Sequence, residues 1–193
     1  MPAPRRQPPN GDRRQAILNA AISVIARSGV RGFRVEQVAE EADVAVSLLY
    51  YYFRNRNGLV QAALEQANER AKAMVKAGES GRRAVERTLL AELDAGSRNT
   101  SAVWGEVVAS AVFEPGLRDG LRVAAEAWTR LIANAIEAGR NDGSISRDVD
   151  ALASAERLVA LVEGLSARWL AELMTRTHAR GLLADAIALE LPA

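Results

Sequence analysis

Residues 35–53 read VEQVAEEADVAVSLLYYYF, and this stretch decides the fold. Its apolar residues follow helical spacing in two short runs that are separated by the sequence ADVA at positions 42–45. The residues on the two apolar faces are Val35, Val38, Ala39, Ala42, Val46, Leu49 and Phe53. The pattern therefore predicts two short helices that are joined by a tight turn and share a small core.

The second of these helices carries three consecutive tyrosines at positions 50–52. Three consecutive helical residues span about 200° in direction, so the rings cannot all be buried. The alternative is that the rings fill a core and only their hydroxyls face outward. We favour DNA contact, because flat side chains with polar tips on the outside of a helix-turn-helix suit the major groove.

The longer stretch from Val35 to Leu59 has the spacing V-x-x-V-A-x-x-A-x-V-x-x-x-x-L-Y-x-Y-F-x-x-R-x-x-L. This spacing resembles the DNA-binding signature of tetracycline-repressor-type (TetR family) transcription regulators. Three positions depart from that pattern: Asp43 replaces the usual Gly of the turn, and Arg34 and Ala45 replace the usual Ser or Thr caps. Because Asp tolerates a left-handed backbone, we expect the turn to survive.

The resemblance implies an all-α protein of about nine helices. Its parts would be a disordered basic arm (1–11), a homeodomain-like three-helix helix-turn-helix domain (12–57), and a helical ligand-binding and dimerisation domain (58–193). Residues 58–78 would form the helix that connects the domains. The implied function is a repressor that binds a pseudo-palindromic double-stranded DNA operator as a homodimer and is released by a small-molecule effector.

Base readout is expected at the start of the second helix of the motif. Ser47 is the best candidate for a base edge, because a hydroxyl can donate or accept. Leu48 and Tyr50 can pack on a thymine methyl group. The first turn around Ala45 and Val46 has no bulky charge, so its backbone N–H groups can approach the DNA.

Phosphate contacts are expected on either side of these residues. The resemblance implies that Tyr51 and Tyr52 donate to phosphate oxygens, and that Arg56 replaces a phosphate-binding Lys. Arg34 is a further candidate for a phosphate contact. Two arginines at the start of the first helix are expected to touch the DNA backbone: Arg13 and Arg14.

The charge distribution agrees with DNA binding at the N-terminal end. Residues 1–56 carry nine Arg and five acidic residues, whereas the remainder carries more acidic than basic residues, although the whole chain has a net charge of only +1. A basic end on a mildly acidic body suits an anionic polymer. Alone, this asymmetry also fits an ordinary solvated surface.

The low aromatic content (5%) and the absence of alternating strand patterns favour helices throughout. Gly and Pro residues separate the apolar runs. Besides the motif, helices are expected at about Asp12–Ser28, Gly58–Lys76, Arg83–Ala95, Ser101–Phe113, Gly116–Ala138, Val149–Thr175 and His178–Leu189.

The last two predicted helices are apolar on more than one face, so each must be covered on more than one side. A two-fold four-helix interface between two copies would cover the second side; the alternative is a well-buried helix in a monomeric core. The predicted interface residues are Leu158, Val162, Leu165, Trp169, Leu182, Leu183 and Ile187.

A ligand cavity is expected among the middle helices, although aromatic residues at helical spacing are as often plain core. The predicted lining residues are Trp104, Val107, Phe113, Trp128 and Glu163. A Glu163 that is buried without an Arg partner would make a cationic ligand a serious hypothesis.

Other functions find little support in the sequence. His178 is the sole histidine, cysteine is absent, and no catalytic or metal-ligand spacing occurs, so neither enzyme activity nor a cofactor or metal is expected. There is no signal peptide and no apolar span of membrane length, which predicts a cytoplasmic, nucleoid-associated protein with no membrane partner. Two alternatives remain: a DNA-binding regulator controlled by a protein partner instead of a ligand, and a helical enzyme.

Overall fold

The computed structural model describes residues 10–72 and 79–193. Residues 1–9 of the predicted arm and residues 73–78 at the end of the predicted connecting helix lie outside them. The described residues form nine α-helices, two short 3-10 turns (Ala95–Ser97 and Pro115–Leu117) and no strand. The helices are α1 Asn10–Gly32, α2 Val35–Glu41, α3 Val46–Phe53, α4 Arg56–Lys72, α5 Gly81–Ala91, α6 Arg98–Ala111, α7 Arg118–Asp142, α8 Ala151–Leu170 and α9 Arg176–Glu190.

The first helix has a break at Gly29, whose φ of 70° and ψ of 167° are not helical. The predicted end of the helix at this glycine is therefore correct for the regular part. A Cβ on Gly29 would lie 2.6 Å from Glu106 Oε2 of α6. Glycine is thus required here for two reasons: the backbone has a positive φ, and α1 and α6 approach each other closely.

The turn between α2 and α3 forms despite its unusual residues. Asp43 adopts a φ of 53°, the left-handed region that was expected for it. Its N–H donates to the Glu40 carbonyl at 3.1 Å, and the Val44 N–H donates to the Ala39 carbonyl at 3.0 Å. Neither Arg34 nor Ala45 makes a side-chain capping hydrogen bond, so packing and this turn hold the two helices.

Two hydrophobic cores follow each other along the molecule. The first joins the apolar faces of α1–α4 to Val103, Val107 and Ala111 of α6 and to the start of α7. The second joins α5, α8, α9 and the rest of α7. Packing is therefore continuous across the predicted boundary at residues 57 and 58, because α6 and α7 supply part of the core beneath α1–α3.

In the second core, α5 and α7 approach each other closely. A Cβ on Gly81 would lie 2.0 Å from the backbone nitrogen of Gly139, a distance that no side chain tolerates. The N–H of Gly81 also donates to the Asp142 carboxylate at 2.8 Å. Both contacts fix the start of α5 on the end of α7.

The last two helices have clear starts. Asp150 caps α8 by accepting hydrogen bonds from the N–H groups of Leu152 and Ala153, and Thr175 caps α9 by accepting from His178. The predicted extension of α8 to Thr175 is wrong: the helix ends at Leu170, and Glu172 takes a φ of 59° in the turn. Among the described residues, no helix has the length and apolarity needed to cross a bilayer.

Candidate functional site

The outward face of α3 is the first candidate surface. Leu49 and Phe53 are buried, as expected, and they orient the helix. Ser47 and Tyr50 are exposed on its other side, and the Tyr51 side chain is 79% exposed. A tyrosine so exposed adds little to the packing of its own chain, and its ring and hydroxyl are accessible to a partner.

The rings of Tyr51 and Tyr52 pack against each other on this surface. The Tyr51 and Tyr52 ring centroids lie 5.4 Å apart in an edge-to-face arrangement, and Tyr52 is half-buried. Leu48 and Val46 are also half-buried, whereas Ala45 is exposed at the start of α3. The predicted base-reading residues therefore present a small, mixed surface in which Ser47, Tyr50 and Tyr51 project farthest.

Basic side chains lie at the starts of α1 and α2. Arg34 is exposed at the start of α2, and Arg13 and Arg14 lie near the start of α1, with Arg13 half-buried and Arg14 exposed. The Arg14 guanidinium lies over the Phe53 ring, 5.5 Å from its centroid. That contact holds Arg14 beside α3 while its nitrogens stay in solvent.

Arg56 requires a correction. Its guanidinium points back into the protein, where it donates to the Val30 carbonyl and, at 3.5 Å, to the Phe33 carbonyl. It also lies over the Phe33 ring and 3.7 Å from a Glu114 carboxylate oxygen. These contacts satisfy backbone carbonyls near the break in α1, so in this structure Arg56 ties α4 to α1 and does not face outward as a phosphate ligand.

The helices after the helix-turn-helix domain, α4–α9, form the body of the protein. The body contains a cavity between α5, α6, α7 and α8, with a volume of about 70 Å³. Three of the five predicted ligand residues line it: Trp104, Trp128 and Glu163. The other lining residues are Glu92, Thr100, Ser101, Gly105, Val162, Ser166, Ala167 and Leu170. The walls are thus mostly apolar and aromatic, with two carboxylates and several hydroxyls.

Glu92 was not predicted, although the sequence held a signal for it. It follows Val85 and Leu89 at helical spacing and so continues the buried face of α5. Burial raises the pKa of Glu92 to about 7; a hydrogen bond from Ser101 opposes the rise, and the nearby Glu163 carboxylate adds to it. The sequence signal for this site is therefore an acidic residue that continues the apolar face of a helix.

Glu163 is the second carboxylate, and burial raises its pKa as well. The Trp104 indole N–H lies close enough to oppose that rise in part. It does not complete a hydrogen bond of good geometry, so Trp104 Nε1 is buried without a partner in the protein. The Ser166 hydroxyl on α8 is likewise buried and unpartnered.

Two predicted ligand residues lie elsewhere, which corrects the prediction for them. Val107 is 1% exposed and belongs to the first core, because it faces α1 and not the cavity. The Phe113 ring is 70% exposed at the end of α6, where the Arg31 guanidinium lies 5.0 Å from its centroid. Both residues share α6 with Trp104 but point in other directions.

The predicted dimer residues also need a correction. Leu182 is 40% exposed, but the other six are buried in the second core of a single chain. Between Arg157 and Arg168, the exposed residues of α8 are small instead, and α9 adds Gly181, Ala188 and the 85% exposed Leu189. The small exposed residues of α8 are Ala160, Gly164 and Ala167, and the exposed Ala171 directly follows the helix.

α6 connects the cavity with α1. Trp104 and Gly105 line the cavity, whereas the next residue, Glu106, accepts a hydrogen bond from the Val30 N–H at 3.1 Å. Among the described residues, no group of three or more acidic, His or Cys side chains is placed to hold a metal ion. The site chemistry is thus a basic, hydroxyl-bearing surface at one end and an acidic, aromatic cavity in the body.

Comparisons with known proteins agree with this arrangement. Residues 17–63 match the family model "Bacterial regulatory proteins, tetR family", and residues 78–192 match "BetI-type transcriptional repressor, C-terminal". Over 59 residues the chain is 39% identical to the HTH-type transcriptional repressor KstR of Mycolicibacterium smegmatis. That match covers 31% of this chain and only 29% of the repressor.

Solved structures match over nearly the whole chain. A TetR-family transcriptional regulator from Rhodococcus sp. is 42% identical, with a TM-score of 0.88 over 94% of this chain and 99% of that one. A transcriptional regulator from Saccharomonospora viridis, solved in complex with choline, is 27% identical, with a TM-score of 0.78 over 94% of this chain and 98% of that one.

Proposed function

The chain belongs to the tetR family of bacterial regulatory proteins, and from this premise we propose that it is a repressor that binds operator DNA as a homodimer. A small molecule in the body cavity would release it from the operator. The family consists of DNA-binding regulators and not of enzymes. Such a protein would work in the cytoplasm, on the nucleoid.

The observation that carries the proposal is the outward face of α3. Ser47, Tyr50 and Tyr51 are exposed together on a helix whose opposite face is anchored by Leu49 and Phe53. An eight-residue helix that projects hydroxyls and rings from a fixed core has the size and chemistry to read a few base edges.

Affinity would come mainly from phosphate contacts. Arg14 is exposed beside α3, where it contacts Phe53, and Arg34 is exposed at the start of α2. Neutralising phosphates releases counterions, so binding should weaken steeply with salt. Arg56 contributes indirectly, because it holds α4 against the Val30 and Phe33 carbonyls at the base of the three-helix domain formed by α1–α3, the reading domain.

A single reading domain contacts too few base pairs to find one site in a genome, so a two-fold dimer is needed. We assign its interface to the exposed small residues of α8, with Gly181 and Ala188 of α9. Gly164 and Gly181 each have open space where a Cβ would be, so the fold of one chain does not require glycine there. Small residues allow the helices of two copies to approach closely.

Release of DNA would pass through α6. A ligand against Trp104 biases the position of a helix that also holds α1 through Glu106 and Val30. Only a ligand that binds one position of α6 more tightly than the other shifts the equilibrium. The cavity and the choline complex of the S. viridis regulator both support a small-molecule effector over control by a protein partner.

The test is a selection of DNA sequences with the purified protein, followed by fluorescence anisotropy on the selected duplex. We expect a pseudo-palindromic site, a stoichiometry of two chains per duplex, and an affinity that falls with salt. Ser47→Ala should change which bases are selected at one position of each half-site, whereas Ser144→Ala on the body should select the wild-type sequence. The proposal would be refuted if the protein bound no duplex at low salt concentration, or if it bound as a single chain.

A further inference from the structure

The cavity in the body has an unusual charge balance. In the described part of the chain, its walls contain two acidic residues, Glu92 and Glu163, and no basic one. Each carboxylate in such a place must hold a proton, bind a cation, or lose the energy of its hydration. The two come from different parts of the fold, since Glu92 directly follows α5 and Glu163 lies within α8.

Burial favours the protonated form of both carboxyl groups in the free protein. It raises the pKa of Glu92 and of Glu163, and the Glu163 charge raises the pKa of Glu92 further. A positive charge between them would replace the proton and remove the repulsion at the same time. The charge balance of the cavity is thus completed by a cation and worsened by an anion.

The aromatic walls add a second, independent feature. Trp104 and Trp128 line the same space, and an indole face attracts a cation while it also packs against alkyl groups. Metal ions prefer several oxygen ligands and gain nothing from two indoles. The cation that fits is therefore organic, with carbon around its charged nitrogen.

An unpartnered polar atom is the third feature. Ser166 is 93% buried, lines the cavity, and has no hydrogen-bond partner for its hydroxyl. Buried polar groups in proteins are nearly always satisfied, and a hydroxyl oxygen can accept from the N–H group of an amine. The Ser166 hydroxyl therefore marks a place where a ligand N–H can complete the hydrogen bonding.

We propose that this cavity binds a compact organic cation, an alkylamine or alkylammonium compound whose charge lies between Glu92 and Glu163 and whose alkyl groups contact Trp104 and Trp128. The volume of about 70 Å³ holds roughly five water molecules, so the ligand is short. The inference rests on the proposed function, of which it names the effector class.

The test compares probes that share one shape and differ in charge. Isoamylamine, isoamyl alcohol and isovalerate are a cation, a neutral molecule and an anion with the same branched alkyl group, and tetramethylammonium tests a cation without N–H donors. Each is titrated into the purified full chain at pH 8, and binding is followed by tryptophan fluorescence and calorimetry. We expect isoamylamine or tetramethylammonium to bind at least ten-fold more tightly than isoamyl alcohol, and isovalerate not to bind.

Variants then locate the bound charge. Glu163→Gln and Glu92→Gln keep the side-chain shape and should each weaken cation binding about ten-fold, which corresponds to 1.4 kcal/mol. Glu156→Gln changes an exposed acid on the same helix as Glu163 and should leave binding unchanged. Equal binding of amine and alcohol, tighter binding of isovalerate, binding of no probe at 10 mM, or full cation affinity in both cavity variants would each overturn the proposal.

The two proposals are tested by separate measurements. Binding of the selected duplex in the absence of any probe tests the proposed DNA-binding function, and binding of a cation in the absence of DNA tests the proposed ligand class. A protein that binds its duplex but prefers the neutral probe would keep the proposed function and lose the cationic effector.

Discussion

The Glu106 carboxylate on α6 accepts a hydrogen bond from the Val30 backbone N–H at 3.1 Å, one residue after the break at Gly29. This contact spans 76 residues of sequence. It satisfies a donor that the break leaves without a helical partner, and it fastens the first helix of the reading domain to the helix that lines the cavity.

Removal of this acceptor should destabilise the contact between the reading domain and the body. Glu106→Ala leaves the Val30 N–H unsatisfied, at a cost of about 1–3 kcal/mol, whereas Glu106→Gln keeps an oxygen in place and should cost less. Thermal unfolding of both variants measures the difference. Equal melting temperatures for Glu106→Ala and the wild type would show that the contact carries no stability.

Arg56→Ala separates a structural role from a DNA contact. Because its guanidinium satisfies the Val30 and Phe33 carbonyls, its loss should lower the free energy of unfolding in the absence of DNA by about 1–3 kcal/mol. Denaturant unfolding provides the measurement, with Arg54→Ala, an exposed neighbour, as the control. Unchanged stability together with weaker DNA binding would restore the phosphate role.

Arg34→Ala and Arg14→Ala should instead act on DNA affinity alone. Each loss of a phosphate contact should weaken binding to all sequences alike and flatten the slope of log K against log salt by roughly 0.9. Anisotropy titrations at several salt concentrations give that slope. Arg130→Ala, an exposed change on α7, is the matched control. If Arg34→Ala or Arg14→Ala had the same slope as Arg130→Ala, that arginine would not be a phosphate contact.

A large charged residue on the small-residue face of α8 should separate the two copies. A Cβ on Gly164 would have no atom of the rest of the fold within 4 Å, and the position is exposed, so Gly164→Arg should let the single chain fold normally. In a dimer it would place two like charges in close contact. Sedimentation should therefore show a monomer for Gly164→Arg and a dimer for Ala138→Arg, an exposed change on α7. A dimeric Gly164→Arg would move the interface elsewhere.

Stability should depend on pH through Glu92. Its pKa in the folded protein is about 7, above the ordinary value of 4.5, so between these values the folded chain holds more protons than the unfolded one. Stability is therefore greatest at the acidic end of this window and falls as the pH rises through 7, by at most about 3 kcal/mol. Glu163 faces the same cavity and contributes in the same direction.

The measurement is the melting temperature between pH 5 and pH 8. Glu92→Gln should flatten the curve and raise the melting temperature at pH 8, because it removes a charge that is costly to bury. Glu156→Gln should leave the wild-type profile intact. An equally steep profile in Glu92→Gln would assign the pH dependence to other groups.

The sequence predicted well wherever contacts are local. The break at Gly29, the left-handed turn at Asp43 and the burial of Leu49 and Phe53 all follow from residues within a few positions of one another. The early end of α8 was missed because its apolar spacing continues to Leu173, whereas the chain turns at Glu172.

Contacts between distant helices could not be predicted in the same way. A buried leucine on an amphipathic helix looks the same in sequence whether its partner is the same chain or a second copy. Leu158 and Ile187 were therefore predicted at a dimer interface although they are buried within one chain. Arg56 likewise looks like a phosphate ligand until the Val30 carbonyl is found beside it.

The sequence by itself determined the helix-turn-helix, the outward face of Ser47, Tyr50 and Tyr51, and the all-helical class, because helical periodicity is a local property. Only the tertiary structure decided which side chains meet in the cavity. Glu92 and Glu163 are 71 positions apart in the sequence and become neighbours because α5 and α8 both pack on α7. Their shared burial, which no window of sequence contains, gives the cavity its acidic chemistry, and the Glu163 charge adds to the raised pKa of Glu92.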